Sequence, residues 1–395
     1  MIHETENRLV CFSLSPFFIK ICLFIHMTAF RKWCHECRAA KSQRQYCCTG
    51  FMKQALEKFI ILMTLASTPI IGLSANHTVK KPLALAKSAV HAAGDTAASI
   101  YPATSVGMRL VKVAEHVYYA QGQAGTATDN EGFISNAGVV VTDEGVVLFD
   151  TLGTPSLGQL LLQKIREITD KPITKVIISH YHTDHVYGLQ VFKDLGAEVI
   201  AGKGVEQYLQ SDEATNRLEE RKVSLKPWVN QFTRVIPPDR TIDGQSELTL
   251  GGVRFTLSAI GMNHSHGDLT MRVSPDNVLF VGDLVFEQRL PFVATGNSKK
   301  WLKTLNTMKL HDVAVLIPGH GAASMQPLKA LGATRSYLAY LRSSMQKAVD
   351  NMIPFDEAYN IDWSEYRKLP AFNKANRGNA YSVYLSLEAD SMDGN

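Results

Sequence analysis

Beyond Cys48 the chain has no cysteine: Cys11, Cys22, Cys34, Cys37, Cys47 and Cys48 all precede Met52. Everything after that point is barred from thiol catalysis, disulfides, thiolate zinc sites and iron–sulfur clusters. "CHEC" at 34–37 would make half a zinc site or a redox pair, but no second half follows at finger spacing. A G-x-S-x-G serine elbow is missing too, and "GKG" at 202–204 is too short for a phosphate loop. Unbalanced charge is also scarce. Residues 1–51 carry seven Lys/Arg against three Glu, which accounts for the whole net charge of +4. The neutral remainder gives no global electrostatic case for nucleic acid. There is no repeat of solenoid period.

What is present begins at Met52, with "MKQALEKFIILMTLASTPIIGLSAN". Lys53 and Lys58 precede an apolar stretch from Phe59 to about Leu73, and small residues Ser74 and Ala75 follow. That is the build of a secretory signal peptide; the competing reading is an uncleaved anchor, for which the stretch is marginal in length. Residues 1–51 then read as an upstream extension rather than a folded domain, 52–75 as the signal peptide and 76–105 as a linker rich in Ala, Lys, Ser and Thr. A periplasmic or secreted location follows, with no stable membrane span after signal cleavage.

From Met108 the texture becomes that of a folded domain. "MRLVKVAEHVYYAQG" alternates like a half-buried strand, and "GVVVTDEGVVLFDTL" reads as a hairpin turning at Asp143, Glu144 and Gly145. "PSLGQLLLQKIREITD" has helical spacing, and "TKVIIS" is a short apolar strand. "DHVYGLQVFKDLG" predicts one helix stopped by Gly196, followed by the strand "AEVIAG" and a charged helix over 204–221. Two strand pairs come next, then the helix "KKWLKTLNTMKL", the strand "VAVLIPGH" and a helical tail from about Gln326, with apolar Leu328, Leu331, Leu338 and Leu341. Strands joined by helices, then hairpins, then helices again predict a layered α/β fold.

Several of these strand-like runs end on a metal-binding residue. Asp150 ends "GVVLFD", His180 ends "KVIISH", His264 follows "RFTLSAIGMN", Asp283 ends "NVLFVGD" and His320 ends "VAVLIPGH". Strand ends gather at one edge of a sheet, so these residues can converge. The stretch "HYHTDH" adds His182, Asp184 and His185 to His180, a set suited to zinc, iron or manganese.

With "HYHTDH" as H-x-H-x-D-H, "NHSHGD", "VGD" and "PGHG" in order, the chain resembles the metallo-β-lactamase-fold hydrolases over roughly residues 108–325. The resemblance implies a four-layer αββα sandwich across about 106–325, with 326–395 as a helical C-terminal appendage. It implies a binuclear site with His180, His182 and His264 on one metal, Asp184, His185 and His320 on the other, and Asp283 bridging. Asp150 would hydrogen-bond a ligand, and His266 would line the pocket. Asp184 would also orient a metal-bound hydroxide or shuttle a proton. Two Zn2+ per chain are expected, with iron or manganese as alternatives.

One fold hosts many chemistries, so the substrate stays open. The leading expectation is an exported binuclear zinc hydrolase acting on a small ester, thioester or amide, with a small-molecule substrate and no nucleic acid. The alternatives are a β-lactamase of the HxHxDH type, a mononuclear iron persulfide dioxygenase, and a non-catalytic periplasmic metal-binding accessory protein. "DLVFEQRLPFV" (283–293), "WLKTLNTM" (301–308) and "IPGHG" (317–321) further resemble exported SoxH-like or quinoprotein relay metallohydrolases. The C-terminal region reads as a packing appendage or oligomer interface, or else as a lid. Lys299, Lys300 and Trp301 lie where they could reach the site.

Overall fold

The structure is a computed structural model and describes residues 100–293 and 295–393. The expectations for an upstream extension, a signal peptide and most of a linker fall on residues 1–99 and lie outside the described residues. Among the described residues no helix is long and apolar enough to cross a membrane.

Seven strands build the first sheet, in spatial order β1 (Leu110–Lys112), β2 (Val117–Ala120), β3 (Ala137–Val141), β4 (Val146–Phe149), β5 (Ile173–Ile178), β6 (Glu198–Gly202) and β7 (Arg240–Ile242). The first four pair antiparallel and the rest parallel. Parallel neighbours need a crossover, and α1 (Pro155–Arg166) supplies one between β4 and β5. Pro155 at its first position and the Thr154 side chain, which accepts from Leu157 N at 3.1 Å, start this helix. The second sheet runs β12 (Val315–His320), β11 (Val278–Phe286), β10 (Asp268–Ser274), β9 (Val253–Gly261) and β8 (Gly244–Leu250), antiparallel except for the β11–β12 pair.

Period two along the strands divides the apolar side chains between two buried faces. Val140, Val147, Phe149 and Ile177 face Phe255, Met271, Phe280 and Ile317 of the other sheet, with the Phe149 and Phe280 rings 5.1 Å apart. Their neighbours Val139, Leu148, Val176 and Ile178 pack instead on Leu157, Leu161 and Ile165 of α1. On the far side, Leu279 and Val281 of β11 meet α6 (Ser298–Thr307), α7 (Pro327–Asp350), the short α8 (Phe355–Ala358) and α9 (Phe372–Asp393) in one apolar cluster. That is a four-layer αββα sandwich with helices continuing past it, as the motifs implied. Because both faces are covered, the central strands read as unbroken apolar runs.

Three local expectations need correction. "MRLVKVAEHVYYAQG" is not one strand but the β1–β2 hairpin, with Val113 N and Ala114 N both bonded to Val117 O. "DHVYGLQVFKDLG" forms two short helices, α2 (Thr183–Val186) and α3 (Leu189–Asp194), broken at Gly188. A Cβ there would lie 2.0 Å from Thr151 O, so the backbones meet too closely for any side chain, and the chain re-aims. The charged segment is also split, into α4 (Val205–Leu209) and α5 (Asp212–Ser224), because Ser211 caps the second helix through Ala214 N at 3.3 Å. In the tail, Leu331, Leu338 and Leu341 are buried on the core face of α7, whereas Leu328 is exposed.

Candidate metal centre

His180 leaves β5 at its carboxyl end, and His182 follows in extended backbone at the N-cap of α2. Two residues apart in an extended chain, the pair can project to the same side. The single turn of α2 then swings Asp184 and His185 to a neighbouring position. His264 comes from the loop after β9, Asp283 lies within β11, and His320 ends β12. Seven of the residues expected from sequence therefore meet in two groups: His180, His182, His264 and Asp283, and Asp184, His185 and His320.

Hydrogen bonds on the outer ring nitrogens decide which lone pairs point inward. His180 Nδ1 lies 2.9 Å from Ser179 Oγ, whose own proton goes to Asp150 Oδ2 at 2.7 Å. His264 Nδ1 donates to Phe292 O at 3.0 Å, and His182 Nε2 sits 3.2 Å from Thr295 Oγ1. Three inner lone pairs then converge, with His182 Nδ1 at 3.1 Å from His180 Nε2 and 2.9 Å from His264 Nε2. Burial holds all three imidazoles below their usual pKa, His264 down to about 3 against the pull of Asp283, so they stay neutral and able to ligate.

The second group is built the same way. His185 Nδ1 donates to Asp150 Oδ2 at 2.9 Å and His320 Nδ1 to Ile134 O at 2.7 Å. Their Nε2 atoms face Asp184 Oδ2 at 3.6 and 3.3 Å. Asp283 reaches both groups: Oδ1 lies 3.2 Å from His185 Nε2, and Oδ2 lies 3.3 Å from His264 Nε2 and 3.2 Å from His320 Nε2. In "PGHG" a Cβ on Gly319 would fall 1.9 Å from Asp283 Oδ1, so only glycine fits there.

The donor set fits a pair of divalent metals on an observation independent of motif. His185 Nε2 and Asp283 Oδ1 are buried and lack any hydrogen-bond partner, although they face each other. Buried polar atoms without partners are rare, and a divalent ion held by both would satisfy them. The electrostatics agree. Burial would lower the His185 pKa, yet Asp283, Asp184 and Asp150 together hold it well above the usual imidazole value. Burial would likewise raise Asp184 and Asp283, but His185 and His320 hold the first well below the carboxylate range, and His320, His185 and His264 hold down the second. The cluster calls for positive charge at its centre, which a metal would supply.

Asp150 is the principal outer partner. It is 1% exposed, takes the left-handed backbone at φ 62°, accepts from Ser179 N and Oγ at 2.7 Å each, and holds His185. Non-glycine residues in this region are uncommon, and aspartate is among those that tolerate it. Asp150→Ala is expected to weaken metal binding at the His185 position by about 10–100-fold. Chelator competition on the purified variant checks this, and an unchanged affinity would remove the orienting role.

Several contributors were not singled out in the sequence. Asp268, in "NHSHGD", accepts from Asn263 N, His264 N and Ser265 N at 3.1, 2.7 and 3.1 Å and fastens the turn that presents His264. Burial raises its pKa to about 7. An aspartate closing a loop directly after glycine was the available signal. The backbone carbonyls of Ile134 and Phe292 carry no side-chain signature at all. His266 lies outside both ligand groups and lines an adjoining cavity with His182, Tyr208 and Thr295. Lys299 and Lys300 are exposed, Lys299 pairing with Asp390 at 3.3 Å. Trp301 does reach the cluster: it is fully buried, with its ring 5.2 Å from that of His264.

The C-terminal helices touch the site as well as packing on the sandwich. Asn379 on α9 accepts from Val293 N at 2.8 Å, and its amide donates to Pro291 O at 2.7 Å and Tyr337 Oη at 2.9 Å. It thereby anchors the segment whose Phe292 carbonyl holds His264. A cavity of about 230 Å³ opens on His182, Asp184, Asp283 and His320, and Ala371, Lys374 and Ala375 form part of its wall.

The profile of the metallo-beta-lactamase superfamily matches residues 130–320, ending before these helices. Metallo-beta-lactamase IND-1 of Chryseobacterium indologenes is 25% identical over 210 residues, covering 52% of this chain and 77% of that protein. Linear primary-alkylsulfatase of a Pseudomonas sp. is 20% identical over 260 residues, covering 55% of this chain and 48% of that protein, so the chain spans about half its length. The structure of the stereoselective inverting sec-alkylsulfatase Pisa1 from Pseudomonas sp. matches with a TM-score of 0.55 at 19% identity, over 71% of this chain and 50% of that one, a likeness of fold alone. Matching profile, shared fold and a clustered His/Asp set at the ends of the strands lead to one assignment: residues 130–320 form a domain of the metallo-beta-lactamase superfamily type, and the named relatives are hydrolases.

Proposed function

We propose that the protein is an exported hydrolase that holds two zinc ions and cleaves a small ester, thioester or amide. The observation that carries this reading is the pair of donor groups sharing Asp283, with three neutral imidazole lone pairs on one side and Asp184, His185 and His320 on the other. When bound, the metals supply Lewis acidity, acidifying water and polarising the group to be cleaved. Asp184 is the more open of the two carboxylates in the donor groups, with 18% of its side chain exposed against 5% for Asp283. Ionised by its histidine neighbours, its Oδ2 can accept a proton from the attacking water and return it to the leaving atom. Phe286, Leu290 and Phe292 line the cavity and exclude bulk water from the reacting bond.

Export is supported by the Met52–Ala75 pattern, and the N-terminus of protein recovered from the periplasm tests it. The stretches at 283–293, 301–308 and 317–321 support a place among SoxH-like or quinoprotein relay metallohydrolases. The relatives' names add β-lactams and alkyl sulfates to the substrates worth screening.

Elemental analysis of the purified protein tests the metal reading. About two zinc per chain is expected, turnover should vanish on chelation and return with zinc, His182→Ala should lose both metal and turnover, and His266→Ala should keep its metal. Close to one iron per chain would replace the hydrolase with oxygen chemistry. Metal without turnover on any ester, thioester, amide or sulfate would leave an accessory binding protein.

A further inference from the structure

Charge around the cavity is unevenly matched. Its wall carries Arg217, Arg221, Arg289 and Lys374 against the carboxylates of Asp184, Glu213 and Asp283. Two of those carboxylates belong to the histidine cluster. Arg217 and Arg221 share Glu220, at 2.6 and 3.4 Å. Among the described residues, Arg289 and Lys374 make no ion pair within 4 Å, although the Asp129 carboxylate, whose pKa the Thr126 hydrogen bonds hold down, has Lys374 near enough to help.

Arg289 is the more telling of the two. Its Nε is buried with no hydrogen-bond partner. Its Nη1 lies 2.6 Å from His320 Nδ1, but that nitrogen also lies 2.7 Å from Ile134 O. A carbonyl can only accept, so Nδ1 carries the proton and cannot also accept from a guanidinium. The contact is thus between two donors, and the planar donor set of Arg289 is left for something else. A half-buried guanidinium without a counter-charge is costly, and the fork of Arg suits a carboxylate or a sulfate- or phosphate-like oxyanion. Lys374 arrives from α9, beyond the part of the chain that matches the superfamily. The rest of the wall is largely apolar, with Ile134, Leu290, Phe292, Ala371 and Ala375.

We infer that the cavity takes substrates bearing an anionic group on an apolar body, and that Arg289 and Lys374 bind that group. The C-terminal helices are then a specificity element as well as a packing layer. The inference rests on the hydrolase reading for the bond that reacts, though not for the binding itself.

The test uses the zinc-loaded full chain and titration calorimetry with hexanesulfonate, hexanoate and the neutral hexanamide. Wild type should bind both anions more tightly than the amide. Arg289→Met and Lys374→Met should each weaken anion binding by about tenfold or more and leave hexanamide binding alone. Zinc content is measured alongside; should Arg289→Met lose zinc through its contact with His320, Lys374→Met decides. Equal binding of amide and anions by wild type, or anion binding unchanged in the variants that keep zinc, overturns the inference. A sulfonate held only through zinc would give that second result. Hydrolysis of matched anionic and neutral esters is followed separately. Arg289- and Lys374-dependent anion binding without zinc-dependent turnover of either ester would sink the hydrolase and leave the anion site standing. Turnover with no preference between the esters, together with anion binding unchanged in the variants, would do the reverse.

Discussion

Asp283→Ala is expected to strip the protein of most of its metal and to lower turnover by a factor on the order of 10³ or more, about 4 kcal/mol of transition-state stabilisation. Each histidine can serve one donor group, but the Asp283 carboxylate faces both, reaching His185, His264 and His320 at 3.2–3.3 Å. Removing it leaves both groups one donor short and takes away a negative charge that a cation there would need. Asp283→Asn separates the two effects, because it keeps the shape and one oxygen while losing the charge. Zinc per chain after gel filtration, measured beside turnover, is the check. A Ala variant that still holds two zinc ions would show that the carboxylate is not shared.

The second large effect is on stability. Trp301→Ala should cost about 3–5 kcal/mol, a substantial part of the 5–15 kcal/mol typical of a folded domain. The indole is fully buried, donates from Nε1 to Leu284 O at 3.0 Å, and packs against Phe286 at 6.3 Å as well as against His264. Its loss opens a cavity between α6 and β11, orphans a buried carbonyl and frees the His264 ring, so the zinc content should fall with the denaturation midpoint. Trp301→Phe keeps most of the ring packing and should recover most of both. A midpoint for Trp301→Ala within about 0.5 kcal/mol of wild type would contradict this account.

The difference between these two residues also shows what a sequence can reveal. Asp283 stood out because a charged residue at the end of "NVLFVGD" is conspicuous in an apolar run. Trp301 was marked only alongside Lys299 and Lys300 as able to reach the site, since an aromatic on a helix looks alike whether it packs on a core or on a ligand. A layered α/β fold was legible because strands buried on both faces must be apolar throughout and strands joined by helices must run parallel, while its four αββα layers were what the family resemblance implied. The break at Gly188 was hidden, since its cause is the approach of Thr151 from a distant part of the chain.

By itself, the sequence determined the layered fold, the absence of thiol chemistry after Cys48 and the candidate donors at the strand ends, because strand periodicity and donor chemistry are local properties; the motif resemblance then picked out the seven that converge. Tertiary structure alone decided which lone pair each imidazole turns inward, through Ser179, Phe292 O, Thr295, Asp150 and Ile134 O. It alone brought Arg289 and Lys374 to one cavity and tied α9 to the Phe292 segment through Asn379. Hydrogen-bond partners and cavity walls come from residues far apart in the chain, and no spacing along it records which of them meet.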